Sequence, residues 1–252
     1  MLSEKQMNCL NVQQFPKLAQ PVTVRIKFCK TGDLQYISHL DLQRTISRVL
    51  VRAGIPTWYT QGFNPHAKII FGLPLSVGAE SLCEYLDVRI DRDMPCDEIK
   101  RRLNGALTEQ LHVLDVYLPA SDSAFQHIVW ATYDIRIRTG GLTQALANDM
   151  KSYLTTAPVV MEKKSKSGMR QVDITTLIRS LDAWVDETVE SEQRELQIAT
   201  TLCVSGSDYL NPEYLIRALK ERFGILPEGD IQSEYRILRT KVLLRDGVTE
   251  FR

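Results

Sequence analysis

Several common site signatures are missing from this sequence. The five cysteines stand at positions 9, 29, 83, 96 and 203, with no CxxC pair and no CxxxCxxC triplet. Zinc ribbons and chain-borne iron–sulfur clusters need such spacing, so no metal site is expected. An odd number of scattered thiols suits a reducing compartment, and a cytoplasmic location is expected. No apolar run approaches the roughly 18 residues of a membrane-spanning helix, so no membrane partner is expected. The opening "MLSEKQMNCL" carries Glu4 and Lys5 where a secretory signal would be continuously apolar, and residues 1–20 read as a disordered tail. GxSxG, HExxH and the dinucleotide fingerprint are absent. "GLPLSVGAES" has Gly72 and Gly78 but neither phosphate-loop spacing nor a helix signal directly after it. No cofactor is expected.

Net charge is also lacking, with 31 basic against 31 acidic residues, but the charges are segregated. Between Val22 and Leu75 there are seven Lys or Arg and two Asp or Glu; between Ser76 and His127 there are five and ten. A second basic knot, "MEKKSKSGMR", precedes the acidic stretch "DAWVDETVESEQRE". Surface potential follows local charge, so a neutral total permits a basic face.

Patterning predicts an α+β fold. "VTVRIKF" alternates as a half-buried strand from Val22 to Phe28. Ser38 is the expected N-cap of a helix, Asp41 holds a capping-box position, and Gly54 closes the helix. Leu42, Ile46, Val49, Leu50 and Ala53 supply its buried face. A glycine- and proline-rich loop follows, with a possible strand at "KIIF", then the strand "EYLDVRI", a helix after Pro95 and the strand "LHVLDVYL". The second half repeats this grammar: strand from Ile128, helix "GLTQALANDMKSYL", strand "APVVMEKK", a turn from Asp173, two antiparallel strands, a helix opened by Pro212 and the strand "YRILRTKVLL". Two tandem ferredoxin-like (split βαβ) units with antiparallel sheets are expected, over residues 21–120 and 127–245 and joined near Pro119 to Gln126.

Arg44, Arg48 and Arg52 recur every four residues, making one stripe on the first helix. Guanidinium forks suit phosphate oxygens, although pairing with Asp41 on a solvated face produces the same pattern. In the following loop Tyr59 and Phe63 suit stacking on unpaired bases, and Gln61, Asn64, His66 and Lys68 suit contact with base edges or backbone. Lys163, Lys164, Lys166 and Arg170 of the second knot complete the RNA-binding candidates. His39 opens the first helix, where the dipole favours a neutral imidazole; it is the one candidate catalytic base, for cleavage at a 2′-hydroxyl, with a structural role as the alternative. Glu80, Glu84 and Asp87 share one strand and are expected to face solvent or pair with the basic loop.

At "KTGDLQYISHLDLQRTISRVLVRAGIP", "YTQGFNPHAKIIFGLPLSVGAESLCEYLD", "KSGMRQVDITTLI" and "YRILRT" the chain resembles the radical-SAM-linked proteins of bacteria. The likeness runs from about Val22 to Thr240. It implies a radical S-adenosylmethionine protein as partner, fused or encoded nearby, and a setting in RNA modification. Since the cysteine triplet is absent, it also implies a stand-alone partner or a separated carboxy-terminal half. A more distant topological likeness is to the CRISPR repeat-processing endoribonucleases of the RAMP superfamily, whose carboxy-terminal glycine-rich loop is poorly matched by "VSGSDYLNP". The expected function is therefore an accessory RNA-binding domain. The alternatives are a metal-independent nuclease using His39, or a protein-interaction module docking through "FGLPLSVG".

Overall fold

The structure, a computed structural model, describes residues 12–165, 168–186 and 193–252. The chain divides between Phe125 and Gln126 into two compact units, with Arg252 counted to the first. Mixed α+β architecture holds in both. No helix among the described residues is long and apolar enough to cross a membrane.

The first unit contains β1 (Lys17–Lys30), a 3-10 turn (Gly32–Tyr36), α1 (His39–Arg52), β2 (Ile69–Phe71), β3 (Ala79–Arg92), α2 (Cys96–Asn104) and β4 (Leu111–Tyr117). Its strands lie in the order β4-β1-β3-β2, every pair antiparallel. Val24, Ile26 and Phe28 of β1 join Leu86, Val88 and Ile90 of β3 in a core capped by Leu42, Ile46, Val49 and Leu50 of α1 and Ile99 and Leu103 of α2.

Several expectations need correction here. Most of the supposed tail lies outside the described residues, but its last part does not, because β1 begins at Lys17. Lys17 pairs with Arg92, and a register shift follows before Val22. Pro21 falls in that shift, where a residue without an amide donor is tolerated. Nor is β1 half-buried. Val22 is exposed, whereas Arg25 is buried on the face opposite the core. Its guanidinium forks onto Asp87 at 2.8 and 2.9 Å, reaches the Ser123 hydroxyl at 2.7 Å, and lies 4.4 Å from the centre of the Phe125 ring. A buried charge is tolerable only with such partners. Asp87 therefore serves Arg25 rather than solvent or the loop. Glu84 is buried, and Glu80 accepts the Gly32 N–H at 2.6 Å. The three carboxylates form no common site.

The second unit contains β5 (Trp130–Gly140), α3 (Gln144–Thr156), β6 (Val160–Ser165), β7 (Gly168–Asp173), β8 (Ile178–Val185), β9 (Gln193–Cys203), α4 (Glu213–Phe223) and β10 (Glu234–Leu243). Four strands pair antiparallel in the order β10-β5-β9-β8. Thr143 caps α3 by accepting the Leu146 N–H at 3.1 Å, and Gly224 in the left-handed region ends α4. The "APVVMEKK" strand does not join this sheet. It pairs with β7, a strand not expected, as a separate two-stranded ribbon. The chain then turns through Asp173, whose carboxylate accepts the Thr175 N–H at 3.1 Å, into β8.

On α2, Glu98 accepts from Arg101 at 2.8 and 2.7 Å and from Arg102 at 2.6 Å. These bonds, Arg101 first, pull its carboxyl from the ordinary 4.5 to about 2. A depressed carboxyl contributes stability above its unfolded value and loses it as pH falls through the folded one. Glu98→Gln is therefore expected to lower the melting temperature at neutral pH and to shrink that difference between about pH 4.5 and 2. A pH series of thermal melts on both proteins checks this.

Candidate nucleic-acid interface

The candidate surface of the first unit grows from a single buried cation. Lys30, at the inner end of β1, donates to the carbonyls of Leu34 at 3.1 Å, Gln35 at 3.2 Å and Ala79 at 2.9 Å. Gly78 N–H adds a bond to Gln35 O at 2.9 Å. The excursion carrying α1 and the glycine-rich loop runs from Gln35 to Ala79, so both of its ends meet at one ammonium group. Sequence reasoning missed this lysine. The available signal was a basic residue directly after Phe28 and Cys29, where the alternation of β1 breaks off.

From this base α1 begins at its expected cap. The Ser38 hydroxyl accepts the Asp41 N–H at 3.1 Å and donates to the Asp41 carboxylate at 2.8 Å. That bond, and then Arg44, hold the Asp41 carboxyl below its usual range. Gly54, at φ +63°, ends the helix in the left-handed conformation natural to glycine. Arg44, Arg48 and Arg52 all lie on the exposed face. Arg44 is paired with Asp41 at 3.0 Å, and Arg52 donates to the Ala106 carbonyl. Arg48 makes no ion pair among the described residues.

After α1 the chain becomes a short finger. Trp58 N–H donates to Arg89 O at 2.8 Å on β3, while the Arg89 guanidinium lies 4.9 Å from the Trp58 ring centre. Tyr59 bridges to Ala67. Thr60 N–H donates to His66 O at 3.0 Å, and His66 N–H returns a bond to the Thr60 hydroxyl at 3.2 Å. The His66 ring reaches the same hydroxyl at 3.1 Å, so this imidazole fastens the finger. At the tip Phe63 is wholly exposed (102%), and Tyr59, Gln61, Asn64, His66 and Lys68 are exposed with it. Gly62, at φ +146°, makes the turn that carries Phe63 outward.

The rest of the expected loop is more ordered than its composition suggested. Ile69–Phe71 pairs with β3, which itself starts at Ala79. Ile69 and Phe71 pack against the core, so Phe63 is separate from them in role. His39 rests edge-on against Phe71 with ring centres 5.1 Å apart, and Phe71 lies in turn on Phe28 at 6.4 Å. No lysine, tyrosine or second histidine is within hydrogen-bond reach of His39 among the described residues.

The second basic knot belongs to the other unit. Lys163 stands opposite Arg170 on the β6–β7 ribbon and donates to the Tyr209 carbonyl. Burial, and then Arg170, lower the pKa of its ammonium group. Arg170 approaches Asp208 at 3.7 Å. Of Lys164 only the backbone is described, and Lys166 lies outside the described residues. No group of three His, Cys, Asp or Glu side chains among the described residues is placed to hold a metal ion.

A bacterial protein family, described as "Uncharacterized protein conserved in bacteria (DUF2344)", matches residues 23–212. The chain belongs to this family. No curated protein matches it. Among solved structures it is similar to one in a crystal structure of a Cbf5-Nop10-Gar1 complex, at 8% identity over 87% of this chain and 48% of that one, with a TM-score of 0.45. It thus spans about half the length of that relative. An unknown protein from Galdieria sulphuraria is 8% identical over 87% of this chain and 99% of its own, with a TM-score of 0.25. Likeness at these scores carries no argument about activity.

The finger and the strand behind it should respond differently to truncation. Phe63→Ala is expected to leave the melting temperature within about 1 °C of the parent, as exposed side chains contribute little. Phe71→Ala should lower it by several degrees, the scale of about 2 kcal/mol for a half-buried aromatic. Differential scanning calorimetry of the two variants measures both.

Proposed function

We propose that this chain is an accessory RNA-binding protein or domain whose first unit receives a single-stranded segment. In this reading Phe63 stacks on an unpaired base at the finger tip. Gln61, Asn64, His66 and Lys68 meet base edges and backbone, and Arg44, Arg48 and Arg52 follow the phosphates. The observation that carries it is the full exposure of the Phe63 ring at the end of a finger fastened by Thr60 and His66. An aromatic ring held in water gains nothing for the fold, whereas stacking on a base is worth about 1–3 kcal/mol. The hydrogen-bonded finger also lowers the ordering cost of binding.

The strand orders β4-β1-β3-β2 and β10-β5-β9-β8 support reading the chain as two tandem ferredoxin-like units, the second with the β6–β7 ribbon inserted. The partner in this reading is a radical SAM protein and the reaction a modification of tRNA or rRNA, both resting on the sequence resemblance; the cytoplasmic location rests on the scattered thiols. His39, packed on Phe71, is assigned a structural role.

Replacing Arg44, Arg48 and Arg52 together by glutamate tests the RNA contact. Single-stranded RNA binding is expected to be lost or to persist with a salt slope shallower by about 2, since each lost phosphate contact removes about 0.7. The fold should survive, because exposed helix charges contribute little. Unchanged affinity and slope in a titration from low to moderate salt would refute the reading.

A further inference from the structure

The second unit presents a sheet face with no counterpart in the finger. Along β5, Ala131, Tyr133, Ile135 and Ile137 are buried, while Asp134, Arg136 and Arg138 alternate with them on the exposed side. α3 and α4 bury Met150, Leu154, Leu215 and Leu219, and Glu213 at the start of α4 accepts from Tyr235, which stands opposite Ile137. Strand register then aligns four side chains of the exposed side in one transverse row. Arg236 stands opposite Arg136, Arg136 opposite Gln197, and Gln197 opposite Trp184. Directly opposed residues share a face. With strands about 4.8 Å apart, the row spans roughly 14 Å.

Each neighbouring row carries two acids against one base, whereas this one carries two arginines and no acid. Arg138 stands between Glu234 and Glu195 and pairs with Glu234 at 3.3 Å. Asp182 pairs with Lys151 at 2.8 Å. Arg136, 61% exposed, approaches Glu195 only at 3.9 Å, and Arg236 makes no ion pair among the described residues. Like charges directly opposite one another repel, and the long contact with Glu195 offsets this only in part, so an anion between the two guanidinium groups would relieve the pair. At the far end of the row the Trp184 indole is 40% exposed, a large apolar surface on an otherwise polar face. Beside the row, Thr132, Asp134, Ser180, Ala199 and Thr201 line an open cleft of about 350 Å³.

We propose that this face holds a single-stranded RNA segment, with one phosphate between Arg136 and Arg236 and a base stacked on Trp184. Gln197, between them, is placed for a ribose or base-edge hydrogen bond. Guanidinium forks match phosphate oxygens, and sheet-borne aromatics are a known platform for unpaired bases. The flanking acids Asp134, Glu195 and Glu234 confine favourable anion contact to the row, which suits a single phosphate rather than an extended anionic surface such as a membrane. The proposal rests on the reading that the chain binds RNA, but it uses residues of the other unit.

The full chain is titrated with a fluorescein-labelled single-stranded RNA of mixed sequence over a range of salt. Three proteins are compared with the parent: Arg136→Gln/Arg236→Gln, Trp184→Ala and the triple arginine variant of α1. Both sheet variants are expected to weaken binding by about tenfold or more. The arginine pair should also lose about 0.7 of the salt slope, one phosphate's share, while Trp184→Ala leaves the slope unchanged. The melting temperature of the arginine variant should be equal to or above that of the parent, which a merely structural role would not give. If both sheet variants bind within twofold of the parent while the α1 variant loses binding, this proposal fails and the first-unit reading stands. If the sheet variants lose binding and the α1 variant does not, the reverse holds. A parent protein that binds no RNA at any salt overturns both.

Discussion

Much of the first unit depends on where the Lys30 ammonium goes. A buried cation without acceptors costs several kcal/mol, and three backbone carbonyls relieve that cost only while they stay around it. Leu34 and Gln35 come from the turn before α1, and Ala79 from the start of β3. The lysine thereby fixes the start and the end of a long excursion from the sheet. Everything proposed for RNA contact in this unit, arginines and finger alike, is carried on that excursion. Its two ends are set by the solvation of one charge deep in the fold, while pairing with β3 and the Thr60–His66 bonds shape what lies between.

Arg25 does similar work on the far side of the same strand. Its fork onto Asp87 crosses from β1 to β3, and its contacts with Ser123 and Phe125 hold the segment after β4 against the sheet. The Phe125 ring also lies against Gly72, where an added Cβ would come within 2.8 Å of it. The glycine just past β2 is thus needed for space, which joins the end of the loop to the same buried ion pair. Two buried cations on β1 therefore position opposite sides of the unit.

How much of this was legible beforehand follows from what sequence patterns encode. The α1 cap, its buried face and its glycine stop were readable because each depends on neighbours within one or two turns. The ladder of strands and helices was readable for the same reason, through periodicity. The double burial of β1 was hidden, because alternation of Arg25 and Lys27 with Val24, Ile26 and Phe28 normally marks a solvent face, and Asp87 lies 62 residues away. The strand at "APVVMEKK" was expected, but its partner β7 was not, because "GMRQVD" shows no apolar alternation. Phe63 stood out as a stacking candidate and "KIIF" as a possible strand; pairing with β3 and packing on the core separate Ile69 and Phe71 from it. The Arg136–Arg236 row could not be seen at all, since it exists only through register across strands 100 positions apart in sequence.

The brevity of β2 has a consequence for the protein in concentrated solution. Among the described residues β2 is three long, and Gly72 and Pro74 follow at once. Pro65 stands before it. An incoming strand from another molecule would find too few donors and acceptors to grow upon, and proline on that path supplies no donor. Ile70 can then point into water, and Phe63 can be displayed on its finger, without the sheet acting as a template for self-association. Display of an uncovered aromatic ring and resistance to filament growth are, on this edge, the same design choice.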